Sequence, residues 1–508
     1  MKHLCIVLLL LLLGSPLFAA GEPASSETSR RPNIVFLLAD DWGWPHASCL
    51  GDPVVKTPTF DRIVREGVMF RNAHSASPSC SPSRAAILTG QWPWRLDQGA
   101  SLLTFLPTRF AVYPDLLENA GYYVGATGKG YAPGKSTGWK HNPAGANYKD
   151  FETFLAKRPK GAPFCYWFGS HHPHRPYQVG CGIKSGMDPA KVIVPPYLPD
   201  SPEVRSDICD YYYNVQVFDQ QEAGSIIAAL ERIGELDQTL IVMSGDNGWP
   251  FPRSKAANYE EGTHQTLAIR WGGKIKPGRV VDDFVSLSDL APTFLEAAGV
   301  PVPSDMTARS LVPLLLANGS GQIDKSRDHV LTLMETHVPC RALPDGGWGG
   351  YPRRSIVTHN LHYIRNFHNE RWPAGDPNGF EVPGAQPFTF EQLATNTFVG
   401  YADIDAGPSK AFLVVHRDEP KLKSMADQTL GKHPARELYD LSKDPYELVN
   451  VAEDPAYVSQ AKELDARLMT ELKATNDPRA TGDDPDRFDR YNSKPAKAPG
   501  RGSVPPQK

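Results

Sequence analysis

Asn33-Ile34-Val35-Phe36-Leu37-Leu38-Ala39-Asp40-Asp41 (NIVFLLADD) is an almost wholly apolar run that stops abruptly on two aspartates. Apolar residues at consecutive rather than alternating positions suit a strand covered on both faces, as in a parallel sheet. The paired carboxylates at its end start a polar edge.

Three further runs repeat that pattern. Residues 122–125 lead to Thr127-Gly128-Lys129, and 164–168 to Gly169-Ser170-His171-His172-Pro173-His174. Residues 240–243 lead to Ser244-Gly245-Asp246-Asn247-Gly248. Helical patterns at 57–66, 113–120, 208–233 and 287–298 lie between or after them. Alternating strands and helices predict an α/β fold with a large, mostly parallel sheet flanked by helices. In such sheets ligands bind beyond the carboxyl ends of the strands. Asp40, Asp41, Lys129, His174, Asp246 and Asn247 are therefore expected on one edge. Later the pattern changes to a hairpin at 355–366, short strands at 411–416 and 437–441, and a helix at 457–476. This predicts a smaller C-terminal α+β domain with an antiparallel sheet.

A chain of 508 residues, 41% of them hydrophobic, can bury a large core and more than one domain. With 57 acidic against 53 basic residues, a general nucleic-acid or membrane-surface binder is not expected. Residues 1–20, MKHLCIVLLLLLLGSPLFAA, read as a secretory signal peptide, and 21–30 as a polar leader. No second apolar run is long enough to span a bilayer. The expected location is secreted or periplasmic, or lysosomal or extracellular in a eukaryote. Apart from Cys5 there are six cysteines, with no C-x-x-C pair and no zinc-ligand spacing.

One of them stands in Ser79-Cys80-Ser81-Pro82-Ser83-Arg84-Ala85-Ala86-Ile87-Leu88-Thr89-Gly90. Pro82 suits the first turn of a helix and Gly90 its C-terminal stop, which sets Cys80 just ahead of the helix. Arg84, four residues on, can reach the same side. A helix start beside an arginine suits an oxyanion such as sulfate or phosphate. A buried core cysteine, a disulfide half or a reactive group all remain open on these grounds. Asp40, Asp41, Asp246 and Asn247 offer hard oxygen ligands, suited to Ca²⁺ or Mg²⁺.

Cys-x-Pro-x-Arg followed by Ala-x-x-x-Thr-Gly resembles the signature of the type I sulfatases. Asp40-Asp41, Thr127-Gly128-Lys129, Pro173-His174, Asp246-Asn247-Gly248, and Glu437-Leu438-Tyr439-Asp440-Leu441 with Asp444-Pro445 and Asn450 follow in the family's order. The resemblance runs from Arg31 to about residue 475. It implies an alkaline-phosphatase-like sandwich, with a catalytic domain over 31–345 and an α+β subdomain over 346–480; the composition of 481–508, rich in Asp, Arg, Pro and Lys, predicts a flexible tail.

It also implies that a formylglycine-generating enzyme oxidises Cys80 to formylglycine (3-oxoalanine). The hydrate of that aldehyde, held on Ca²⁺ (or Mg²⁺) by Asp40, Asp41, Asp246 and Asn247 with residue 80 itself, attacks sulfur, and its second hydroxyl then expels sulfate. Arg84, Lys129 and Lys255 are implied to neutralise sulfate charge, with Arg253 the competitor of Lys255, and His174 to protonate the leaving group. The family's Lys-x-His reads Lys129-Gly130-Tyr131 here, so the histidine is missing; Tyr131 or another histidine is left to fill that place.

DNGWPFPRSKAANYEEGTH and the segments around Met334–His337 and Tyr351–Ser355 look most like heparan N-sulfatases (N-sulfoglucosamine sulfohydrolases) and bacterial relatives, some acting on O-sulfated algal polysaccharides such as ulvan. A sulfated saccharide is the implied substrate, with His264, Glu335 and His337 as candidate contacts and Trp348 and Trp372 as candidate stacking surfaces. A phosphonate or phosphodiester hydrolase of the same superfamily, and a non-catalytic glycan- or oxyanion-binding protein, are the alternatives.

Overall fold

In the computed structural model, which describes Met1 and residues 31–378 and 387–491, the run that opens on Asn33 is strand β1 (Asn33–Ala39), an interior strand and third in the order of a seven-stranded sheet. Ile34, Phe36 and Leu38 enter one core cluster and Val35, Leu37 and Ala39 the other, so both faces are covered. That double burial is why the apolar run does not alternate.

The other strands are β2 (Val68–His74), β3 (Tyr123–Gly128), β4 (Phe164–Gly169), β5 (Thr239–Gly245), β6 (Leu267–Trp271) and β7 (Arg279–Ser286). Their order is β3-β4-β1-β5-β6-β2-β7. The first four are mutually parallel, β2 and β7 are parallel to each other, and only β6 runs against its neighbours. In register, Gly128 lies opposite Gly169, Leu38 opposite Gly169, and Ala39 opposite Gly245. The carboxyl ends of β3, β4, β1 and β5 therefore lie side by side.

Helix α1 (Pro58–Glu66) precedes β2, and α2 (Cys80–Thr89) follows it. Helix α2 begins earlier than the proline suggested: Ser79 is the N-cap, Cys80 the first helical residue and Pro82 the third. Gly90 ends it with φ +60, a left-handed geometry that glycine adopts without strain. All ten residues of α2 are buried, with Ala85, Ile87 and Leu88 in the core. The pattern at 208–233 is one helical column: α3 (Pro202–Gln216), a π-helical stretch (Val217–Ala223) and a final turn set (Gly224–Arg232).

A four-stranded antiparallel sheet is built from β8 (His329–Met334), β9 (Arg353–Thr358), β10 (Leu361–Asn366) and β11 (Arg436–Asp440), in the order β11-β10-β9-β8. It packs under the long helix α5 (Val458–Ala474) through Leu331, Leu333, Ile356, Tyr363, Leu464 and Leu468. Its first strand starts at His329, ahead of residue 346, and the described residues from Pro32 onward cluster as one compact unit.

Two expectations fail. Residues 411–416 are not a strand but lie in helix α4 (Pro408–Val415), with Pro408 in its first turn. A short apolar run gives no period that separates strand from buried helix. Here Ser409, donating to Asp207 from both its backbone N–H and its hydroxyl, docks the helix onto α3. Residues 481–491 are not a loose tail: Arg487–Arg490 form a short helix, and Phe488 is fully buried. The signal peptide, the leader, Cys5 and residues 492–508 lie outside the described residues.

Candidate active site

Lys129 follows β3 directly, and its placement depends on two glycines. A Cβ at Gly128 (φ +74) would fall 2.2 Å from the Gly169 carbonyl, and one at Gly169 would fall 1.8 Å from the Lys129 carbonyl. With neither present, the Lys129 N–H donates to the Gly169 carbonyl at 2.6 Å. The Lys129 Nζ then donates to both oxygens of Asp40, at 2.7 and 2.6 Å.

Asp40 and Asp41 follow β1, and Asp246 and Asn247 follow β5. All four are buried. The Asp41 N–H donates to Asp246 Oδ1 at 3.0 Å, and Asn247 Nδ2 to Asp41 Oδ1 at 2.8 Å. Cys80 Sγ lies 3.5 Å from Asp40 Oδ1 and 3.9 Å from Asp41 Oδ1. One ligand atom each from Asp40, Asp41, Cys80 and Asp246 lies within 4.8 Å of the others. Asn247 Oδ1 is buried with no hydrogen-bond partner among the described residues. Three buried carboxylates and an orphaned amide oxygen form a hard-oxygen donor set that a divalent cation would satisfy.

Burial would raise Asp40, but Lys129, His174, Arg84 and Lys255 outweigh it and hold this carboxyl far below the ordinary range. Burial raises Asp41, and its neighbours Asp40 and Asp246 add to that rise against the pull of Lys255 and His174. Burial also pushes the Cys80 thiol well up, with Asp40 and Asp246 adding to it. A thiol held protonated in this way is a poor nucleophile.

Arg84 is completely buried. Its Nε donates to Asp246 Oδ2 at 2.7 Å, and its Nη1 to the Lys129 carbonyl at 2.5 Å. It ties α2 to the ends of β5 and β3 and does not line the cavity, so its expected reach to a sulfate is limited to Nη2, its one unpartnered nitrogen, 3.7 Å from Asp40 Oδ1.

Above the cage opens a cavity of about 620 Å³ lined by Asp40, Cys80, Lys129, His171, His174 and Lys255, among others. Lys255 Nζ donates to Asp41 Oδ2 at 2.7 Å and to Asp405 Oδ2 at 2.9 Å. Its competitor Arg253 turns away and stacks 3.8 Å over the Tyr259 ring. The His174 Nδ1 pairs with the Arg175 carbonyl at 2.5 Å, a contact in which the ring nitrogen must donate. That leaves Nε2 free of the backbone, 3.8 Å from Asp41 Oδ2. His337 also reaches this cavity, its Nδ1 2.8 Å from the Ser79 hydroxyl; burial lowers it to about 4, so its ring is neutral near pH 7.

His264 and Glu335 do not reach the cavity. His264 is stacked between Trp44 (4.7 Å) and His74 (4.8 Å), with Nδ1 3.1 Å from Glu260, beside a separate groove of about 410 Å³. Glu335 is fully buried between Arg354 (2.5 Å) and Arg479 (2.7 Å), an internal ion network that leaves nothing for a ligand. Neither Trp348 nor Trp372 lines the cavity. Tyr131 belongs to the sheet's core cluster, so it does not stand in for the missing histidine; His171, from the loop after β4, is in the cavity. Asp405 escaped the sequence reading: YADIDAG carries no motif and follows no strand. All six described cysteines are free.

A cavity bordered by Lys129 and Lys255 over an oxygen cage, with a helix-borne cysteine between them, has the make-up suited to an oxyanion hydrolase. The sulfatase family matches residues 32–139, and the family "N-sulphoglucosamine sulphohydrolase, C-terminal" matches residues 245–331. The chain is thus similar to sulfatases in sequence, and its fold is their alkaline-phosphatase-like sandwich. It is 28% identical to N-sulphoglucosamine sulphohydrolase of Homo sapiens, over 89% of this chain and 91% of that one. It is 26% identical to an ulvan-active sulfatase of Formosa agariphila, over 90% of this chain and 77% of that one. A solved structure described as a complex with its substrate D-glucosamine-2-N,6-O-disulfate superposes with a TM-score of 0.60 at 20% identity, covering 90% of this chain and 99% of that one.

Proposed function

We propose that this protein releases sulfate from a sulfated saccharide in the cavity above Cys80. The carrying observation is Cys80 at the first position of α2, 3.5 Å from Asp40 Oδ1, with Lys129, Lys255 and His174 bordering the same space. Asp40, Asp41, Asp246 and Asn247 would hold Ca²⁺, with Mg²⁺ the smaller alternative, and the ion would stabilise negative charge on oxygen beside residue 80. Oxidation of Cys80 to formylglycine by a formylglycine-generating enzyme would supply an aldehyde, and with it the nucleophile that the protonated thiol is not.

The remaining roles belong to the chain as it stands. Lys129 and Lys255 bind sulfate oxygens and offset the charge that develops on them. Arg84 fixes Asp246 and the Lys129 backbone and so holds the site's shape. His174, in its imidazolium form, gives the Nε2 proton to the departing oxygen or nitrogen and keeps the Nδ1 proton on the Arg175 carbonyl, which orients the ring. His337, neutral, orients the Ser79 hydroxyl at the helix start. The names of the relatives support a glycosaminoglycan or algal-polysaccharide fragment as substrate, and residues 1–20 support export; among the described residues no helix is long and apolar enough to cross a membrane.

The test is sulfate release from a panel of defined N- and O-sulfated saccharides, with an aryl sulfate and an aryl phosphodiester alongside. Release from a saccharide, with the aryl sulfate preferred over the diester, is expected. Faster diester turnover would overturn the reading in favour of a phosphodiester hydrolase. An unconverted Cys80 peptide, by mass spectrometry after expression with the maturing enzyme, would point to a binding protein instead.

A further inference from the structure

Of the acids lining the cavity, Asp40 belongs to the oxygen cage and Asp405 does not. Asp405 Oδ2 accepts from Lys255 Nζ at 2.9 Å, and Oδ1 takes no hydrogen bond among the described residues. A carboxylate oxygen of Asp405 lies within 4.8 Å of a His174 ring nitrogen and of an Asp41 oxygen. Burial is opposed above all by Lys255, with His174 beside it, and Asp405 is held well below the ordinary carboxylate range.

Its backbone is held on both sides. Asp403 accepts from Arg341 Nη2 at 2.6 Å and from the Val338 N–H at 2.8 Å. The buried Lys410 Nζ donates to the carbonyls of Ile404 and Thr397, both at 2.9 Å. The Ala406 N–H donates to Thr397 Oγ1 at 3.0 Å. The chain thus commits buried charged groups to keeping one carboxylate at the cavity wall.

A fixed negative charge beside a sulfate-binding lysine opposes the binding of any anion, unless it meets a part of the ligand that is not anionic. A carboxylate accepts hydrogen bonds from O–H and N–H groups and repels sulfate and carboxylate. We propose that Asp405 is a specificity-determining residue that reads the substituent next to the scissile sulfate, accepting a hydrogen bond from a hydroxyl or amine there and rejecting a second sulfate. The substrates are then saccharides whose sulfated position has an unsulfated hydrogen-bond donor as its neighbour. This rests on the sulfatase reading above.

The experiment takes the matured enzyme and a matched pair of saccharides, chosen from whichever sugar it desulfates: one with the single sulfate, one with a second sulfate on the adjacent position. Wild type is expected to favour the first in kcat/KM by about tenfold or more, the scale of one charged hydrogen bond gained or one like-charge contact avoided. In Asp405→Asn that ratio is expected to collapse toward unity, because the amide keeps the shape and loses the charge. Equal wild-type turnover of the pair would overturn the proposal, even if the variant failed to fold. So would an Asp405→Asn enzyme slowed on both substrates in proportion, since Asp405 would then act only by positioning Lys255. Absence of sulfate release from every saccharide would defeat the sulfatase reading itself, a separate result.

Discussion

Cys80 is expected to be indispensable to turnover and nearly dispensable to the fold. Cys80→Ala removes one buried sulfur from a polar cage, so sulfate release should vanish while the thermal midpoint moves by only a few degrees, read by calorimetry. Lys255→Ala should lower kcat/KM by roughly a hundredfold or more, because the charge it offsets grows toward the transition state. Glu335 separates a structural role from a binding one. Glu335→Gln weakens a buried pairing with Arg354 and Arg479 and should cost about 3 kcal/mol in denaturant unfolding with KM unaltered. A raised KM at full stability would return Glu335 to the substrate. The sequence motif marked Cys80, Asp40, Asp41, Asp246 and Asn247, because each lies at or beside a strand end or helix start whose period is visible locally. It could not separate Glu335 and His264 from His337, since burial by partners more than a hundred residues away leaves no local trace.

At the scale of elements, α4 is held to the catalytic sheet by one buried node. Arg175 forms a two-pronged pair with Asp207 at 2.7 and 2.8 Å, and Ser409 donates to the same carboxylate. Asp207→Ala strands a buried guanidinium one residue from His174 and should cost about 3–5 kcal/mol, with activity falling alongside. Unchanged denaturant unfolding would show that the node is not a tie. His46 provides a second, pH-dependent element. Packed against Tyr211 and Trp249, it is lowered to about 4, burial being the cause and Asp52 only a partial offset. Because the folded value lies below the unfolded one, the unfolded chain takes up the proton first as pH falls. Stability from this group is complete above about 6.5 and is lost between there and about 4, up to roughly 3 kcal/mol. The fall in melting temperature over that window should be shallower in His46→Gln; an equal fall would assign the loss to other groups.

For the whole molecule, the donor cage couples residues from three separate elements: the ends of β1 and β5 and the start of α2. A cation that binds there binds only the folded chain, so chelation should lower both activity and melting temperature, and added Ca²⁺ should restore both. Full activity and an unchanged midpoint in metal-stripped protein would remove the role given to Asp40, Asp41, Asp246 and Asn247. The architecture was legible in the sequence because strands buried on both faces write continuous apolar runs. The run at 411–416 misled for the same reason, since a helix buried by a neighbouring helix writes much the same run.

The sequence by itself determined the parallel sheet and the edge on which the acids and bases gather, because strand ends and helix starts are set by neighbouring residues. Only the tertiary structure decided which distant groups share the cavity. Asp405 enters it from a loop held by Arg341 and Lys410, His171 takes a place on its wall while Tyr131 turns into the core, and Glu335 is withdrawn by two arginines. These placements follow from long-range packing and buried charge pairing, which couple residues far apart in the chain.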